Sequence, residues 1–312
     1  MRTEPNMVRG TLDAMSSNPA VAAADTAAAL SSTFAGLDAL DLGIDEGPGR
    51  ARKLWSMTWP KLAAVAIAIG LWQLVYVSEW KPHYALQGPE ATFKELWHMT
   101  EDGIVATAIR ITMLRALKGF LLATIIGVAI GSLVAQFKLL RNAVGSMITG
   151  IMTMPSIAWF PLAIMLFKIS EGAIMFVVVL GAAPAIANSL ITGVDHIPPI
   201  LRRAGRVLGA KGFAEYRHVI LPASMPSFVG GLKQGWAFAW RSLMAGELIV
   251  IIRGQASIGQ VMQVNRDLTN SAGVLATIII ILVIGVLVDA LVFGRLDKWV
   301  RRRWGLVDHA AK

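Results

Sequence analysis

The chain contains no cysteine, so it can hold no disulfide framework, no thiolate metal site and no thiol nucleophile. Charge is scarce too. Asp, Glu, Lys and Arg make up 16% of the 312 residues, where a soluble domain carries about a quarter. No G-x-x-x-x-G-K-[ST] phosphate loop occurs, which excludes ATP held in that way. H-E-x-x-H and G-x-S-x-G are missing as well. The five histidines, His83, His98, His196, His218 and His309, are scattered, and no acid pair sits at helical spacing within an apolar run. Nothing in these residues nominates an enzyme.

What is present is apolar length. Runs of about 20 apolar residues suit a bilayer core of roughly 30 Å, and they are too long and continuous for barrel strands. Only helices or closed barrels satisfy the backbone in lipid. The chain therefore reads as an all-α, polytopic membrane protein with six transmembrane helices, at about residues 60–80, 105–137, 143–167, 172–194, 227–252 and 272–293. The second run is too long for one straight crossing, so an interfacial lead-in is expected through Lys118. Pro155 and Pro161 in the third run and Pro184 in the fourth predict kinks. Residues 1–53, rich in Ala, Ser, Asp and Gly, predict a disordered cytoplasmic tail, with a transmembrane domain over 54–305 and a short tail over 306–312.

The net charge of +9 does not point to nucleic acid, because most cations sit at span ends, where they set orientation. With the N-terminus in the cytoplasm, the clusters at 50–61, 138–141, 202–217 and 295–303 lie inside. Both termini are then cytoplasmic. Trp55, Trp59, Trp80, Trp299 and Trp304 fall near span ends, as interfacial aromatics do. Residues 89–99 start with proline and acid and carry Phe93, Leu96 and Trp97 on one face, which predicts a short helix on the outer surface. Small residues recur every four positions at Ala123, Gly127, Gly131 and Ala135, and again at Gly231, Gly235 and Ala239. Such seams serve either bundle packing or a subunit interface.

The most distinctive stretch is a basic island between the fourth and fifth runs, residues 195–226. Residues 200–208 form an amphipathic pattern, with Leu201, Ala204, Val207 and Leu208 on one side and Arg202, Arg203 and Arg206 on the other. Gly209 permits a sharp turn. A second short helix is expected over 213–221, with Phe213, Tyr216, Val219 and Ile220 apolar, stopped by Pro222. Two short angled helices make a knob suited to a partner's cleft. The competing reading is a hairpin whose arginines bind lipid headgroups.

The run RAGRVLGAKGFAEYRHVILP resembles the EAA loop of inner-membrane subunits of ATP-binding cassette importers. Ala204, Gly209, Leu221 and Pro222 match that loop, with Val219 at its apolar position. Arg203 stands where an acid is usual, and Gly205 replaces the second alanine. MPSIAWFPLAIMLFKIS, ANSLITGV, GELIV and SIGQVM are similar to the nitrate, sulfonate, taurine and bicarbonate branch, in which glycine is usual at the position of Lys168. The likeness runs from about residue 59 to 303. It implies the type I importer permease fold in a bacterial inner membrane, two copies side by side, and an extracytoplasmic substrate-binding protein. It also implies a dimer of ATPase subunits docked on the island through Arg203, Ala204, Gly205, Gly209, Ala210, Phe213, Tyr216, Val219, Ile220, Leu221 and Pro222. No cofactor is expected on this chain, and ATP and Mg belong to the partner ATPase.

Charges inside spans suggest the cargo, since a charge at the bilayer centre costs at least about 2.5 kcal/mol and faces protein or water. Arg241 lies within the fifth run. It reads either as structural glue paired with Glu247 or Asp289, or, with Lys233, as the lining of an anion path. Trp236, Trp240 and Ser242 would add a wall or hydrogen bonds. An aliphatic sulfonate is the expected cargo, followed by nitrate, taurine and bicarbonate. A self-sufficient secondary carrier and a structural anchor are the rival classes.

Overall fold

The computed structural model describes residues 50–82 and 84–303. The expected tails, apart from residues 50–53, lie outside the described residues, as do His83, Trp304 and His309. The chain divides after Ala68 into two units. Among the described residues the first holds only the opening of helix α1 (Arg50–Val77). The second holds the remainder of α1 and every later element.

Those elements are helical throughout the described residues. They are α2 (Pro89–Glu101), α3 (Ile104–Gln136), α4 (Lys138–Thr153), α5 (Phe160–Phe167), α6 (Glu171–Asp195), α7 (Pro199–Val207), α8 (Leu221–Ile249), α9 (Ile258–Asp267), α10 (Ser271–Val288) and α11 (Gly294–Arg303). Among the described residues, four stretches are long and apolar enough to cross a membrane: Thr58–Val77, Ile104–Gln136, Glu171–Asp195 and Ser271–Arg303. The α4–α5 pair adds a fifth as a broken span. The expected fifth run corresponds to α8, a 29-residue helix, long enough at 1.5 Å per residue to cross a bilayer.

Local geometry departs from expectation in the third and fourth runs and at Pro222. In the second run the lead-in expected through Lys118 and the crossing belong to one continuous helix, α3, of 33 residues. The third run is broken rather than kinked: α4 and α5 meet at 102° around Met154, Pro155 and the 3₁₀ turn Ser156–Trp159. Two prolines six residues apart remove two backbone donors from one crossing. By contrast α6 runs unbroken through Pro184. Pro222 does not stop the chain either. The helical turn Phe213–Glu215 passes through a π-turn, Tyr216–Ile220, directly into α8, and Pro222 follows immediately after that π-turn.

The core is built around α6. Its Ala173, Ile174, Val177, Val178, Ala182, Ala185 and Ile186 are fully buried, because α3 packs on one side and α8 on another. Both small-residue seams face this helix. A Cβ at Gly127 would lie 2.7 Å from the Ala183 carbonyl oxygen, and one at Gly231 would lie 2.2 Å from Ser189 Cβ. Intrachain packing therefore accounts for the seams. On the predicted outer side α2 begins with Pro89 at its first turn, and the Trp72 indole of α1 donates to the Gln87 carbonyl at 3.0 Å.

Candidate functional site

Two regions carry chemistry, joined by α8. The first is the elbow between α6 and α8. Helix α7 ends at Gly209, whose φ of +86° is open to glycine at little cost. Ala210 N–H donates to the Gly205 carbonyl at 2.9 Å and Gly209 N–H to the Arg206 carbonyl at 3.1 Å, a Schellman closure. Gly205 is buried, and a Cβ there would lie 2.6 Å from Val219 Cγ2. That contact explains why glycine replaces the second alanine: the two arms of the elbow touch at this point. Arg206 and Glu215 close the arms with an ion pair at 3.3 Å, and Tyr216 Oη reaches Ser132 Oγ of α3 at 3.4 Å. At the base, Arg141 pairs with Asp195 at 2.6 Å.

The outward surface of the elbow is apolar at its tip. Val207 and Leu208 are each 87% exposed and Phe213 78%, among exposed Arg203, Arg206, Lys211 and Arg217. Ala204, Gly209 and Leu221 are exposed as well, while Ala210, Tyr216, Val219, Ile220 and Pro222 are half-buried and hold the shape.

The second region is a cleft of about 350 Å³ at the break between α4 and α5. Its lining includes Met152, Met154, Ser156, Trp159, Phe238 and Arg241. Arg241 is exposed, lies over the Phe238 ring at 5.5 Å, and makes no ion pair among the described residues. Ser242, fully buried, donates to Ser156 Oγ at 2.9 Å. Ser227, Gly230, Gln234 and Arg241 are exposed along α8, with Phe238 half-buried between them, at the three- and four-residue steps of one face. Sequence reasoning missed Gln234, Phe238 and Ser156. The heptad step from Gln234 to Arg241, with Phe238 between, was the available signal.

The other expected path residues stand elsewhere. Glu247 is not Arg241's partner. It is 1% exposed and bound to Arg115, itself 3% exposed, at 3.1 Å. Thr112 donates to Glu247 Oε2 at 2.9 Å, and the Gly259 amide donates to the same oxygen at 3.1 Å. Arg115 also contacts Glu171 at 3.3 Å and Gln255. This network ties α3, α6, α8 and the loop leading into α9 together. Asp289 pairs with Lys233 at 3.1 Å, half-exposed and away from the cleft. Trp236 and Trp240 are buried, stacked at 6.2 Å with Phe120 and Phe293 beside Trp236. They belong to the core instead of walling a path.

With this geometry in hand, comparisons with known proteins are specific. The sequence profile of the binding-protein-dependent transport system inner membrane component family matches residues 125–302. The chain is 30% identical over 258 residues to a Bacillus subtilis protein named as an aliphatic sulfonates transport permease, SsuC, covering 81% of this chain and 90% of that one. It is 28% identical over 244 residues to the nitrate import permease protein NrtB of Leptolyngbya laminosa, covering 75% and 84%. Among solved structures, the inward-facing MetNI methionine ABC transporter matches with a TM-score of 0.54 at 22% identity, over 63% of this chain and 96% of that one. That likeness concerns the fold. The chain thus belongs to the binding-protein-dependent transport system inner membrane components, the non-catalytic, multi-pass permease subunits of ABC importers.

Proposed function

We propose that this permease forms the path for a small anion, an aliphatic sulfonate before others, and couples it to a separate ATPase through the elbow at 195–226. Two identical copies stand side by side on two ATPase subunits, with both termini and the elbow in the cytoplasm and a binding protein delivering cargo outside. The observation that carries this reading is the elbow tip. Exposed Val207, Leu208 and Phe213 need an apolar partner surface, and the cations among them make an acid-lined cleft the complementary shape. Nitrate is the second reading for the cargo, favoured by the nitrate import relative.

Because the chain has no cysteine, Leu208→Cys introduces a single thiol at the tip. It should crosslink to the co-encoded ATPase in membranes, and excising residues 204–213 should abolish uptake. A thiol that captures no ATPase, or uptake that survives the excision, refutes the coupling role. Thermal-shift screening of the co-encoded binding protein decides between sulfonate and nitrate.

A further inference from the structure

The cleft at the α4–α5 break does more than border a path. We propose that it is a binding site within the membrane subunit for an oxyanion carrying an uncharged apolar tail. The inference rests on the anion-permease reading and narrows it. Selection would then occur at the permease as well as at the binding protein.

The head of the site is Arg241. Its guanidinium is exposed in the cleft, steadied by the Phe238 ring, and has no carboxylate partner among the described residues. A cation within a span is costly unless it meets water, protein or a counter-ion, so an anion in the cleft relieves it. Ser156 adds a second donor. Its Oγ accepts from Ser242 at 2.9 Å, which leaves its own hydroxyl hydrogen free to point at an oxyanion. The broken backbone at Met154 and Pro155 fits the same role, since non-helical backbone at membrane depth is tolerated where it lines a cavity.

The body of the site is different in kind. Met152, Met154, Ile157 and Trp159 leave the remaining wall largely apolar. An inorganic anion such as nitrate needs donors on every side. This wall would strip its water and return only the bonds at one end. A tailed anion fits both halves. Its oxygens meet Arg241 and Ser156, and its alkyl chain lies on the methionines, whose unbranched side chains adapt to its length. About 350 Å³ is within the range of small-molecule sites. An ammonium on the tail would be buried among apolar groups without a counter-charge, so an aminoalkyl sulfonate is rejected too.

The test uses the full chain in phosphatidylcholine nanodiscs, titrated calorimetrically with 1-pentanesulfonate, taurine and nitrate. Pentanesulfonate should bind about tenfold more tightly than either competitor. Arg241→Gln should weaken it by about tenfold, the loss of one charged hydrogen bond. Met154→Asn should weaken pentanesulfonate and narrow its advantage over taurine. If Arg241→Gln loses its helical circular dichroism, Ser156→Ala tests the same head group. Nitrate or taurine binding as tightly as pentanesulfonate, undiminished binding by Arg241→Gln, or no heat with any probe overturns the site. Crosslinking at Leu208 reads the permease assignment separately. If it persists while pentanesulfonate fails to bind, only the site falls.

Discussion

Arg115 and Glu247 are the residues whose charges the bundle buries most completely, and their geometry shows what that burial demands. Glu247 accepts from Arg115, Thr112 and the Gly259 amide, so its oxygens are filled with donors. Removing one partner of such a pair strands a charge in a dry site and costs about 3–5 kcal/mol. Arg115→Met should therefore lower the unfolding free energy of the purified chain in mixed micelles by that order. Glu171→Gln removes a half-exposed partner of the same arginine and should cost about 0–1 kcal/mol. Equal losses from the two would show that the buried pair is not the anchor. None of this network was legible in the sequence. Arg115 and Glu247 are 132 positions apart, and no local pattern links them. The expected Arg241–Glu247 pairing failed for a simpler reason. Six residues along an α-helix turn the side chain by about 240°, which sends Arg241 to the cleft and Glu247 into the core.

At the scale of elements, the bundle depends on how closely α3 and α8 approach α6. The four-residue repeats of glycine and alanine were readable directly, because a helix face without side chains has few other uses. Which helix they faced was not readable, since periodicity names a face and no partner. The break between α4 and α5 was half-legible. Two prolines announced a distortion, but its size of 102° depends on tertiary packing around Ser156, which Ser242 of a distant helix supplies. The seam makes a sharp prediction. A Cβ at Gly231 would sit 2.2 Å from Ser189 Cβ, whereas one at Gly70 of α1 meets nothing within 4 Å. Gly231→Ala should cost about 1–3 kcal/mol by overpacking. Gly70→Ala should be neutral or gain up to about 1 kcal/mol from helix propensity. Thermal unfolding of the two variants side by side measures the contrast, and a Gly231→Ala protein as stable as Gly70→Ala would deny the close approach.

Across the whole molecule, the elbow's second arm and the cleft lie on one continuous helical stretch. From Phe213 the chain stays helical through the π-turn to Ile249, and Arg241 stands about 30 Å along α8 from Leu221 at 1.5 Å per residue. The elbow's first arm is clamped to this rod by the Gly205–Val219 contact and the Arg206–Glu215 pair. On the proposed coupling, a displacement at Val207 and Leu208 would reach Arg241 through that clamp, since along the chain only the turn from Gly209 to Gly212 links the two arms. The weak point is the short turn from Gly209 to Gly212, where two glycines take positive φ. Inserting two further glycines after Gly212 lengthens that turn and loosens the register that holds the Gly205–Val219 clamp closed, while leaving Val207 and Leu208 in place. The ATPase should still crosslink to Leu208→Cys and still hydrolyse ATP, but uptake should fall by about tenfold or more, because conformational energy released below no longer reaches differential contacts above. Uptake that matches the uninserted protein would mean that the elbow positions the ATPase without transmitting its motion, and that the two halves of the transporter communicate by another route.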